Sequence, residues 1–130
     1  MSVSRPPASF RHIHLELARE SDHPAGDNAH GYDILAPLTA DGFLDAEEWR
    51  AHRDKCRVRR FRPDDDDLIG RLKHSQGGKW YIDYDPDRDD DDERALHFEN
   101  EQFRPGEYVA IRENDGTTHT FRVVAVRMLD

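Results

Sequence analysis

The chain has 130 residues and a formal net charge of −9, with 28 acidic against 19 basic side chains. That length fits one domain with one modest core, and the charge disfavours nucleic acid and anionic membranes, whose phosphates such a surface repels. A lone cysteine, Cys56, excludes an intramolecular disulfide and a cysteine-rich zinc site.

Residues 1–9 read as a disordered lead without the apolar core of a signal peptide. No later apolar run approaches a membrane span, and a cytoplasmic location is expected. Residues 10–130 read as a single β-rich domain. From Phe10 to Leu17 the residues alternate, with Ile13, Leu15 and Leu17 on one face and His12, His14 and Glu16 on the other, the mark of a half-buried strand. Residues 20–29 form a polar turn region, and a second strand is expected over Gly31–Leu38. Asp45 and Glu48 have the spacing of a capping box, which predicts a helix over Asp45–Lys55 with Trp49 and Cys56 on its apolar side.

Val58–Phe61 reads as a short strand. Leu68–Lys73 and Trp80–Tyr84 flank a hairpin turn at Ser75–Gly78, and Ala95–Phe98 reads as a further strand. At the C-terminus Tyr108–Glu113 and Thr118–Arg127 are joined by the turn Asn114–Gly116. The fold expected is mainly β (all-β or α+β). It is a small barrel-like or strongly bent antiparallel sheet of about seven or eight short strands, with one helix near 45–55.

Four features could carry chemistry. The first is the acidic segment Lys79–Glu93, where Asp83, Asp85 and Asp87 imitate the opening of a calcium loop. Arg88 stands where that loop needs glycine and Arg94 where it needs glutamate, so the segment reads as a solvated counterweight to basic residues elsewhere. The second is His12, His14 and Glu16, which the period of two places on one strand face. With His30, or with His23 in the following loop, they could hold a divalent transition metal.

Third, residues 50–62 carry a net charge of +6, and Arg53, Arg57, Arg59 and Arg60 in this run are candidates for binding an anionic partner. Asp64–Asp67 follow at once and compete for those guanidiniums. Fourth, Cys56 has His52 four residues before it, a conceivable nucleophile and base that reads better as a core filler.

The function expected is that of an interaction module with charged loops. It would act on a protein partner, on a second copy of itself through an exposed strand edge, or on a small ligand. Two alternatives stand beside it. One is a metal-binding protein or metal-dependent enzyme centred on His12, His14 and Glu16; the other is a nucleic-acid-associated protein using Arg50–Arg62. No catalytic residue and no organic cofactor is assigned.

Overall fold

The computed structural model describes residues 8–84 and 92–129. Most of the expected acidic loop, and most of the N-terminal lead, therefore lie outside the described residues. Eight antiparallel strands follow one another round a closed barrel in chain order. They are β1 (Phe10–Leu17), β2 (Asp27–Pro37), β3 (Arg57–Arg62), β4 (Asp65–His74), β5 (Trp80–Asp83), β6 (Glu93–Leu96), β7 (Tyr108–Arg112) and β8 (Thr118–Met128). The helix α1 (Ala46–His52) and a 3-10 turn at Arg53–Lys55 lie between β2 and β3.

Alternation builds the interior. Ile13, Leu15 and Leu17 from β1, Tyr32, Ile34 and Ala36 from β2, Val58 from β3 and Leu72 from β4 are all buried. Ile82, Ala95, Val109, Ile111, Phe121 and Val123 complete the ring from β5 to β8. An eight-stranded barrel is just wide enough for side chains to fill it. β8 closes the ring on β1 after a bulge, with Arg11 opposite Met128 and Leu17 opposite Phe121.

Asp45 caps α1 by accepting the amide of Glu48 at 3.2 Å, as the capping box predicts. The helix is shorter than expected because the chain tightens to a 3-10 turn at Arg53. Its apolar anchor is Trp49, whose indole N–H donates to the Leu72 carbonyl at 2.8 Å and whose ring packs edge-on to Trp80. Phe98 and Phe103 pack against each other at 5.1 Å and add to the same core. One end of the barrel is thus apolar and aromatic.

Strand closure corrects one expectation. Each strand is hydrogen-bonded to a neighbour on both sides over part or all of its length, so the free edge expected for self-association is absent among the described strands. Three strands also begin two or more residues earlier than expected. β2 begins four residues before Gly31 and takes in His30, β4 extends back to Asp65, and the strand expected at Ala95–Phe98 is found at Glu93–Leu96, followed by a 3-10 turn. No helix among the described residues is long and apolar enough to cross a membrane.

The close approach of β2 to β1 and to Phe61 of β3 requires glycine at position 31. A Cβ built there would meet the Leu15 carbonyl oxygen at 1.9 Å and the Phe61 ring at 2.8 Å. Backbone cannot yield as a flexible side chain does. Gly31→Ala is expected to cost about 2–3 kcal/mol in urea unfolding, whereas Gly78→Ala, with nothing within 4 Å but a φ of 80°, should cost less.

Candidate functional site

Strands β1, β3, β5 and β7 finish at the end of the barrel opposite α1, and there the inward-facing ring turns polar. The same alternation that buries Val58 sends Arg60 and Arg62 inward, and that which buries Ile111 sends Glu113 inward. Glu93 lies in phase with Ala95, His119 with Phe121, and Tyr32 and His30 with Ile34. Arg60, Glu93 and Glu113 are all buried.

Two ion pairs form the base of this cluster. Arg60 donates to Glu93 Oε2 at 2.5 Å, and Arg62 donates to Glu113 Oε1 at 2.7 Å. Glu93 also accepts from the Tyr84 hydroxyl at 2.5 Å and the Asn114 amide at 3.1 Å. The Tyr32 hydroxyl stands 2.6 Å from Glu113 Oε2 and 2.9 Å from Glu93 Oε1, with one proton to donate. The Arg60 guanidinium lies over the Tyr84 ring, 5.4 Å from its centroid.

The electrostatics follow from this packing. Burial alone would push the Glu113 carboxyl up, but hydrogen bonds from His30 and Tyr32 and the charge of Arg62 bring it down to about 2. Burial and the neighbouring carboxylates push both Tyr32 and Tyr84 far above the ordinary phenol range. Burial works against the charge of Arg60, yet Glu93, with Tyr84 and Tyr32 beside it, more than offsets it and the guanidinium is held more firmly protonated.

Two imidazoles cover the cluster. His30 Nε2 lies 3.2 Å from Glu113 Oε2, and His119 packs edge-on to His30 with ring centroids 5.5 Å apart. Glu20, on the connection between β1 and β2, holds His119 Nδ1 at 3.0 Å. A surface cavity of about 790 Å³ adjoins the same connection, lined by Arg19, Asp27, Asn28, Tyr108 and Arg122 among others.

The residues singled out from the sequence are placed differently. His12, His14 and Glu16 do share one face, the outer wall. There Asp33 gathers them: its Oδ1 lies 3.0 Å from His12 Nε2 and 2.7 Å from His14 Nδ1, and its Oδ2 accepts from Arg59. His14 Nε2 pairs with Glu16 at 3.0 Å, and the His14 ring stacks on Phe61. Burial opposes the Asp33 charge, but hydrogen bonds from His14 and Arg59 win and hold its carboxyl below the usual range. His30 faces the interior instead, so the barrel wall separates it from the other three and the expected quartet does not converge. No group of three or more His, Cys, Asp or Glu among the described residues is arranged to hold a metal ion.

The basic run is likewise divided by the period of two. Arg57 and Arg59 face outward, Arg60 and Arg62 inward, and Arg53 is exposed on the 3-10 turn. Arg59 reaches Asp67 at 2.9 Å, which realises the expected competition from the acidic residues after β3. Cys56 is buried, with its thiol toward the His52 carbonyl at 3.7 Å rather than the imidazole. Burial pushes that thiol up to about 12, the setting of an inert core cysteine.

As a unit the polar end is hidden in the sequence because its residues are scattered along it, and the sequence singles out His30 and Arg60 only for other roles. Each was nonetheless marked by standing in phase with an apolar strand face, and Glu113 follows Val109 and Ile111 at steps of two. No family model matches the chain, and no curated protein and no solved structure matches it either.

Proposed function

We propose that the chain is a binding barrel for a small polar molecule, with its site at the polar end around Arg62, His30, His119 and Glu20. The observation that carries this reading is the buried cluster of two ion pairs and two tyrosines where apolar filling would serve stability as well or better. Buried ion pairs replaced by packed apolar groups often leave a protein no less stable, and groups with strongly shifted pKa concentrate at functional sites. Barrel ends are common ligand sites.

Arg60 and Arg62 balance Glu93 and Glu113, so the ligand class favoured is neutral or zwitterionic, with both donors and acceptors. Small amides, hydroxyketones and amino acids meet that description. In a titration followed by ¹⁵N–¹H correlation NMR, one of these should shift the Arg62 Nε–H and the His30 and His119 ring signals. His30→Ala should weaken the effect. Should a panel of such compounds at millimolar concentration leave all these signals in place, the reading falls.

A further inference from the structure

Two groups at the polar end have unused capacity. Arg62 Nε is buried and has no hydrogen-bond partner among the described residues, although Arg62 Nη2 is bound to Glu113. An unpaired buried donor destabilises the fold, and an incoming acceptor would relieve that cost. His119 Nε2 lies 3.5 Å from Glu113 Oε1 without hydrogen-bonding geometry, while Nδ1 is fixed by Glu20. In the neutral imidazole, donation from Nδ1 to Glu20 leaves the lone pair on Nε2. Both Arg62 and His119 approach the same oxygen of Glu113, which places them within the span of one small molecule.

A carboxylate-oriented imidazole beside a guanidinium whose charge is paired with Glu113 but whose Nε–H has no acceptor of its own suits proton abstraction next to a carbonyl. Resting on the reading of the polar end as a small-ligand site, we infer that it is a proton-transfer site for small carbonyl compounds. The substrate's carbonyl oxygen accepts from Arg62 Nε. His119 Nε2 takes a proton from the adjacent carbon: that C–H bond breaks, an N–H bond forms, and the freed pair makes a C=C bond. The carbonyl π pair moves onto oxygen, where Arg62 stabilises it. The imidazolium then gives its proton to oxygen, yielding an enol, or first trades it with solvent water and delivers the solvent hydron to carbon, yielding the exchanged ketone. Glu20 is a positioning residue that holds the ring and steadies its charge.

The test uses the full chain in D₂O with hydroxyacetone as probe. Proton NMR follows loss of the protons on the carbon next to the carbonyl, and saturation-transfer NMR on the same sample reports binding. The wild type is expected to exchange them at least tenfold faster than an equal concentration of free imidazole. His119→Asn should lower the rate about a hundredfold, within the usual range for a general base. Arg62→Lys keeps the charge beside Glu113 but removes Nε, and should lose most of the rate while remaining folded. Saturation transfer without exchange would overturn the proton-transfer inference and leave the binding reading standing. Absence of both overturns the inference and, if the other compounds of the panel are also silent, the binding reading with it. Exchange that survives both substitutions assigns the chemistry elsewhere and likewise overturns it.

Discussion

Arg60→Met is expected to destabilise the barrel by about 3–5 kcal/mol, the cost typical of removing one partner from a buried ion pair. The reason is what remains. Glu93 is fully buried, and without the guanidinium its charge has, among the described residues, two phenols and one backbone amide bonded to it. Adding Glu93→Leu to Arg60→Met removes the stranded charge, and the double variant should recover more than half of the loss. Some loss persists, because the Asn114 amide and the Tyr84 hydroxyl then lack their acceptor. Urea unfolding of both variants measures this. A single-variant cost below about 1 kcal/mol would mean that Arg60 is dispensable to Glu93.

The second large effect is alkaline unfolding. Tyr32 and Tyr84 have folded-state pKa values raised above the ordinary 10.0. A raised value means that the folded state holds the proton longer than the unfolded chain. The resulting stability is complete below pH 10 and falls as pH rises beyond it, by about 1.4 kcal/mol per pH unit for each phenol. The Cys56 thiol, raised from 9.0 to about 12, acts in the same direction from pH 9 upward. Glu113 acts at the other extreme: its value is depressed from 4.5 to about 2, so its contribution is present above pH 4.5 and disappears as pH falls toward 2. Thermal melts across pH 3–12 should give a plateau with a steep alkaline limb. Tyr84→Phe should make that limb shallower, and an unchanged limb in this variant would rule out the phenol account.

Much of this architecture was legible because period-two alternation and turn chemistry are local. Ile13, Leu15 and Leu17 declared the inner face of β1, Asp45 and Glu48 declared the start of α1, and Asn114–Gly116 declared the turn between β7 and β8. The polar end was less legible for a physical reason. Alternation marks a face by its apolar residues and loses that mark at the first charged one, so in the sequence Arg60 reads with Arg57 and Arg59 as part of a surface run. Carrying the same phase one step further places Arg60 and Arg62 with Val58, Glu113 with Ile111 and His119 with Phe121. What no single strand reveals is which strands become neighbours. The meeting of Glu113 with His30 and Arg62 depends on closure of the ring and is a tertiary fact.

That closure also determines how the molecule must assemble. Seven of the eight strand junctions join neighbours in sequence, and only the seam between β1 and β8 joins distant ones. Loop-closure entropy is small for each hairpin and greatest for the seam. The chain can therefore zip up as an open curved ribbon at little entropic cost, with the outer edges of β1 and β8 still unpaired. Until Arg11 meets Met128 along that seam, the ribbon has two adhesive rims, so the interval before closure is when aggregation is most to be expected.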